Sequence, residues 1–331
     1  RWATHGGVSD ENAHPHASVS GDVIIVHNGI IENSRTLRKL LERKGIQLSS
    51  ETDSETIAHI LDYELKRDNS PTEAMHRTVS KLHGTWGICA LFLNHDLMVC
   101  ARNGSPLIIG KGDDEMFISS DPHALTSHTQ SVVFLDDGDI ATITNNSISM
   151  SSTSGGNREA NITILEDEWG EAELGDFPHF MLKEIFEQPD ALRHCINGRL
   201  DRVRGNGRLG GLKLSPLELS KLPHVRLLGC GTAMHAAEIG QILIESLARV
   251  PAVAHISSEF RTNDPVIDPL ALHFAVSQSG ETADTLSAVK EIQLKGGQVH
   301  GIVNVVGSTI ARQCGQGVYI HSGPEQAVAS T

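Results

Sequence analysis

The rhythm of the apolar segments changes partway along this chain, and that change limits the fold to two differently built halves. Residues 86–93, 97–100, 107–109, 116–118, 132–135 and 140–143 are short apolar runs at close spacing. Turn pairs such as Asn103-Gly104 and Asp137-Gly138 separate them, the pattern of an antiparallel meander. Three helical patterns precede them. Asn33-Ser34 can cap a stripe of Leu37, Leu40 and Leu41 that Gly45 stops. Thr52 and Glu55 have capping-box spacing ahead of Ile57, Ile60, Leu61 and Leu65. Ser70-Pro71-Thr72-Glu73 opens the third with a cap, then Pro at the first helical position. Helices with clustered strands predict an α+β domain over residues 1–145.

From Val225 the rhythm becomes strand, loop, helix. An apolar run at 225–228 leads into Gly229-Cys230-Gly231-Thr232 and a helical pattern reaching Leu247. A second run, 272–276, leads into Ser277-Gln278-Ser279-Gly280-Glu281-Thr282 and a helix to about Lys295, and a third lies at 298–303. This predicts an α/β domain over residues 223–331, an open parallel sheet with ligands at the strands' carboxyl ends. Residues 146–222 read as a linker and connecting helix. The stretch 151–156 is polar, 166–173 is acidic, and Phe180, Ile185, Phe186, Leu192 and Ile196 mark the helix. The segment 202–213, rich in glycine and arginine, reads as a loop and lacks the aromatics that stack bases.

A net charge of −14 over 331 residues argues against a nucleic-acid partner. No apolar run is long enough to span a membrane, and no charged-then-apolar leader opens the chain. The five cysteines, at 89, 100, 195, 230 and 314, show no paired spacing and read as buried thiols in a reducing compartment, hence a cytoplasmic protein.

Chemistry concentrates at two places. Arg1 offers a planar charged fork suited to a carboxylate, and Gly6-Gly7 lets backbone approach a ligand. The apolar run 23–26 reads as a buried strand followed by Asn28-Gly29. That pair is either a hairpin turn or, at a strand end, a side-chain amide and backbone N–H aimed at one oxyanion. Asp53 falls in the first helical turn, either as a solvated charge or as the partner of a ligand ammonium. His14 and His16 lack a third metal ligand nearby and read as packed or hydrogen-bonded. In the second half, three hydroxyls and an amide crowd residues 277–282 ahead of a helix. One hydroxyl is enough for a cap, so the surplus favours a phosphate cradle.

RWATHGGVSDENAHPH, VHNGIIEN and SETDSETIAHI resemble the glutaminase half of the glutamine–fructose-6-phosphate aminotransferase (isomerizing) family, also called glucosamine-6-phosphate synthases. SQSGETADT resembles the sugar-isomerase (SIS) half of the same family, and FPHFMLKEIFEQP the helix that joins the halves, to which no chemistry is assigned. The resemblance implies an N-terminal-nucleophile αββα glutaminase sandwich, truncated at its start, followed by a truncated SIS domain with a doubly wound parallel sheet. It implies that Arg1 binds the α-carboxylate of glutamine and Asp53 its α-ammonium. Thr4 and His5 line the pocket, Asn28 and Gly29 form the oxyanion hole, and Trp2 gates ammonia transfer or packs in the core. Ser277, Gln278, Ser279 and Thr282 would bind the phosphate of fructose 6-phosphate, and Val328 would contact the sugar. At Ala233 the family usually has a serine near the phosphate.

The expected reaction is L-glutamine plus D-fructose 6-phosphate to L-glutamate plus D-glucosamine 6-phosphate, the committed step of hexosamine synthesis. Ammonia passes internally and no metal or organic cofactor is required. The expected assembly is a homodimer through the SIS half. The alternative is a non-catalytic regulator that binds sugar phosphates through a SIS domain. An enzyme that shares the glutaminase but makes phosphoribosylamine would lack SQSGET. The nucleophilic N-terminal cysteine and the ring-opening residues of the family have no match here. The chain is therefore expected to be a fragment, inactive by itself, lacking the cysteine segment and a second SIS domain.

Overall fold

The computed structural model describes residues 5–165, 174–201, 203, 205–327 and 329–330, with only the backbone of residue 123. The chain divides into two compact units, residues 1–166 and 167–331.

In the first unit β1 (His16–Ala17) and β2 (Val23–Ile31) precede three helices: α1 (Ser34–Arg43), α2 (Asp53–Asp68) and α3 (Pro71–Val79). The strands β3 (Gly84–Phe92), β4 (Leu97–Asn103), β5 (Ile108–Lys111), β6 (Met116–Ser119) and β7 (Ser131–Phe134) follow. Then come β8 (Asp139–Ile143), β9 (Ile148–Ser152), β10 (Asn157–Arg158) and β11 (Ile162–Ile164). They form two antiparallel sheets, a seven-stranded one ordered β1-β2-β3-β4-β8-β9-β10 and a four-stranded one ordered β11-β7-β5-β6. The expected strands are present, but they do not form one meander. After β4 the chain leaves for the second sheet and returns at β8, which pairs β4.

The alternation of side chains along the strands explains the layering. Ile88, Ala90 and Phe92 of β3, with Val99 and Ala101 of β4, pack under Leu37, Leu41, Ile57, Leu61 and Met75 of the helices. The intervening Cys100, with Ala141 and Ile143 of β8, faces Ile109, Val133 and Leu135 of the smaller sheet or its flanks. The order is helix, sheet, sheet, as in the expected sandwich. On the outer face of the smaller sheet the described residues contribute one 3₁₀ turn, Pro122–Leu125.

The caps agree with expectation in two of three helices. Thr52 and Ser70 accept from the backbone N–H of Glu55 and Glu73. Asn33 makes no side-chain cap. Its amide bridges to the backbone of Lys81 and His83, tying the start of α1 to the turn before β3.

The second unit carries α4 (Phe180–Ile196), the hairpin β12 (Leu200–Asp201) and β13 (Asn206–Gly207), and α5 (Pro216–Leu219). A five-stranded sheet follows. It comprises β14 (Val225–Gly229), β15 (Ala252–Ile256), β16 (Leu272–Ser277), β17 (Val299–Val303) and β18 (Gly317–Tyr319), interleaved with α6 (Thr232–Leu243), α7 (Ser257–Thr262), α8 (Ala283–Leu294) and α9 (Thr309–Cys314). Every pair is parallel and the order is β15-β14-β16-β17-β18. Both faces are covered, as a doubly wound sheet requires. Leu228 and Ala275 meet α7, α8 and α9 on one face, while Leu227 and Leu272 meet Ala237 of α6 on the other. The strand order reverses between β14 and β16, so their carboxyl ends flank a crevice. β15, β18, α7 and α9 are additional to the three expected strands and two helices. Each is six residues or fewer, too short for periodicity to show.

Of the five thiols expected to be buried, only Cys100 is fully so; the other four are half-buried, and all five are free. Among the described residues no helix is long and apolar enough to cross a membrane.

Candidate functional site

In the first unit the site is organised by the start of α2. Asp53 is its first residue and is 3% exposed, so it is no solvated surface charge. Its Oδ2 accepts the backbone N–H of Ile31 in β2 at 2.8 Å, and Oδ1 accepts that of Ser54 at 3.1 Å. His5 Nδ1 stands 3.4 Å from Oδ1. The carboxylate is therefore clamped between strand and helix, with helical N–H dipoles favouring its negative charge.

The residues that follow Asp53 are tied to the loop before α2 and to β2. Glu55 does not complete a reciprocal capping box. Its carboxylate takes the backbone N–H of Ser49 and Ser50, both at 2.7 Å, and His59 Nε2 at 3.2 Å. Burial pushes the Glu55 carboxyl up, but the bonds from His59, Ser49 and Ser50 outweigh it and hold the group well below the carboxylate range.

Ser54 Oγ receives two imidazoles, His27 Nδ1 at 2.9 Å and His14 Nε2 at 3.2 Å. A hydroxyl has one proton, so at least one ring donates to it. Burial pushes His27 down to about 4, against the attraction of Asp53. It is therefore neutral near pH 7. His16 Nε2 reaches Thr52 Oγ1 at 3.2 Å, and the His14 and His16 rings meet edge to face at 5.3 Å. These two histidines serve the packing around α2.

Asn28 and Gly29 are neither a hairpin turn nor a strand end. β2 runs on to Ile31, with Asn28 opposite Gly87 and Gly29 opposite Trp86 of β3. On the other edge β1 pairs only with Ile24 and Ile25, so the strand beyond them is unpaired by other strands among the described residues. Asn28 is exposed there. Gly29 has φ +134°, and a Cβ would stand 2.2 Å from the Thr85 carbonyl oxygen. Only glycine fits. Gly6 also has positive φ, but its close approach is to Asn12 and Glu51 of the chain itself, and Gly7 has open space. Arg1, Trp2 and Thr4 lie outside the described residues.

In the second unit a cavity of about 530 Å³ opens where β14 and β16 end. Its walls include Thr232 and Ala233 of α6, Ser277, Gln278, Ser322, Glu325 and one side of α4. Ser277 Oγ accepts the Gly280 N–H at 3.0 Å and pairs with Thr282 Oγ1 at 2.9 Å. Ser279 Oγ accepts the Glu281 N–H at 3.2 Å. These hydroxyls use acceptor capacity on the loop, which leaves two of three protons for a ligand. Thr282 precedes α8 without a side-chain cap bond, and α6 begins after Gly231 in the same state. Two helix termini thus keep their first N–H groups uncommitted to side chains. No Lys, Arg or His is among the described lining residues. Attraction for an anion there rests on N–H and O–H groups. Val328 lies outside the described residues.

The sequence reading missed α4 as a wall of this cavity.

Comparison with known proteins accounts for both units. The glutamine amidotransferase domain model matches residues 4–127 and the SIS domain model residues 218–331. The chain is 43% identical over 334 residues to the glutamine–fructose-6-phosphate aminotransferase [isomerizing] of Chlorobaculum tepidum. It is 43% identical over 332 residues to that of Symbiobacterium thermophilum, and 41% over 333 to that of Thermus thermophilus. Each alignment covers 100% of this chain and 54% of the relative, so the chain spans about half the length of the curated relatives it matches. A regulator built on a SIS domain alone leaves the first matched region without an account. With both domains matched in order and the identity running along its whole length, the chain pairs a glutamine amidotransferase domain with a SIS domain and is similar throughout to glutamine–fructose-6-phosphate aminotransferases (isomerizing).

Proposed function

We propose that the protein carrying this chain releases ammonia from L-glutamine and delivers it to D-fructose 6-phosphate, giving L-glutamate and D-glucosamine 6-phosphate. The observation that carries this reading is the buried, clamped carboxylate of Asp53 beside the unpaired edge of β2. A fixed anion held out of water suits an α-ammonium. Arg1 takes the α-carboxylate, and Thr4 and His5 line the same pocket. The Asn28 amide and the Gly29 N–H receive the oxyanion that forms when a nucleophile attacks the side-chain amide of glutamine. One such donor is worth roughly 10²–10³ in rate.

The family's nucleophile is an N-terminal cysteine, and none of the five cysteines here takes that place. Cys89 and Cys100 belong to the layer between the sheets. A hydrogen bond donated to Cys89 and burial raise the Cys100 thiol, and burial pushes Cys314 up to about 12. Neither of those two supplies a thiolate at neutral pH.

In the second unit the phosphate of fructose 6-phosphate sits against Ser277, Gln278, Ser279 and Thr282 at the start of α8, and Val328 contacts the sugar. Assembly as a homodimer through the SIS half and a cytoplasmic location belong to the same reading. The test is incubation of the protein with both substrates and mass spectrometry of both products. Glutamate and glucosamine 6-phosphate in equal amounts are expected; glutamate with no amino sugar under saturating fructose 6-phosphate would overturn the acceptor.

A further inference from the structure

α4 buries the wrong kind of residue. Its one buried residue is Glu184, 8% exposed, while Phe186 is 67% exposed. Packing alone favours the reverse, because taking a carboxylate out of water is costly unless something on the inside repays it. Glu184 Oε1 accepts two backbone N–H groups, from Gln326 at 2.7 Å and Ala327 at 3.0 Å. Those residues follow Ser322 and Glu325 in the segment that rims the cavity. Glu184 is one of the residues that line the same cavity, and its Oε2 is buried with no hydrogen-bond partner among the described residues. The neighbouring cation does not serve it: Lys183 pairs with Glu187 at 3.0 Å.

We infer that Glu184 is a specificity residue of this cavity, whose free Oε2 accepts a hydrogen bond from a hydroxyl of the bound sugar phosphate while Oε1 holds the rim in place. The inference rests on the phosphosugar reading of the cavity and adds a polarity to it. A carboxylate repels a phosphate dianion and attracts hydroxyl protons. The ligand therefore lies with its phosphate at the hydroxyl loop before α8 and its hydroxyl-bearing carbons toward α4. Inorganic phosphate alone gains nothing from Glu184.

Calorimetric titration of the full protein with fructose 6-phosphate and, separately, inorganic phosphate tests this, with thermal melts of each variant. Glu184→Gln keeps a carbonyl oxygen for the Gln326 and Ala327 N–H groups and removes the charged acceptor. It is expected to melt as the wild type, to bind fructose 6-phosphate about tenfold more weakly, and to bind inorganic phosphate as well or better. Glu184→Ala also frees the rim and loses more; if it fails to fold, Glu184→Gln decides alone. Fructose 6-phosphate affinity within twofold of wild type in Glu184→Gln overturns the assignment. Equal weakening of both probes also overturns it, in favour of a structural role. A wild-type protein that ignores fructose 6-phosphate takes down the phosphosugar reading and this inference together.

Discussion

The backbone of Gly29 runs so close to Thr85 that a Cβ at position 29 would stand 2.2 Å from the Thr85 carbonyl oxygen. This contact holds the Asn28-Gly29 pair inside the β2–β3 ladder, at a backbone angle of +134° that side-chain-bearing residues rarely adopt. Gly29→Ala must distort the ladder or move β3. We expect it to lose about 1–3 kcal/mol of stability and to depress glutamine hydrolysis. Urea unfolding monitored by tryptophan fluorescence reads the first, since Trp86 sits opposite Gly29. An unchanged midpoint would remove the close approach from the account.

Asp53 separates a charge effect from a packing effect. Asp53→Asn keeps an oxygen for the Ile31 N–H and removes the negative charge. The KM for glutamine is expected to rise by the equivalent of about 2 kcal/mol or more, as when one partner of a buried charged pair is truncated. Fructose 6-phosphate KM should hardly move. Parallel rises in both constants in steady-state kinetics would point to a folding defect.

The hydroxyl loop makes the complementary prediction. Ser279→Ala with Thr282→Ala removes two of the three hydroxyls but leaves Ser277 to receive the Gly280 N–H. Fructose 6-phosphate binding is expected to weaken by about 1–3 kcal/mol, with glutamine hydrolysis in the absence of sugar unaffected. Retained sugar affinity by calorimetry would mean that phosphate sits elsewhere. The reverse change, Ala233→Ser, places a hydroxyl on the same cavity wall and is expected to tighten the sugar by about 1 kcal/mol.

His27 gives the first unit a pH dependence with a definite sign. Its folded pKa, about 4, lies below the ordinary value of 6.5. Between these values the unfolded chain binds a proton that the folded chain refuses, so stability falls as pH drops through that window. The loss reaches about 3 kcal/mol by pH 4. Urea midpoints at pH 7, 5.5 and 4.5 should decline, and His27→Asn should flatten the decline. The same slope in the variant would assign the acid sensitivity to other groups.

Much of this molecule was legible in the residues alone. The change from clustered strands to strand–loop–helix units marks two sheet types because pleat and helix impose different periods, and periods are local. The start signals at Thr52 and Ser70, and the crowd of hydroxyls at 277–282, were equally readable. Tertiary structure decided the rest. It pairs β4 with β8 across an excursion to a second sheet, a long-range register that no local pattern specifies. It turns Asn33 away from its helix toward Lys81 and His83. It places Asn28 and Gly29 within β2 and turns Asp53 inward, because burial depends on which strand lies beside the helix. It also buries Glu184 while leaving Phe186 in water: hydrophobicity predicts the opposite, and only the backbone donors of Gln326 and Ala327, 142 and 143 residues further on, make the inversion tolerable.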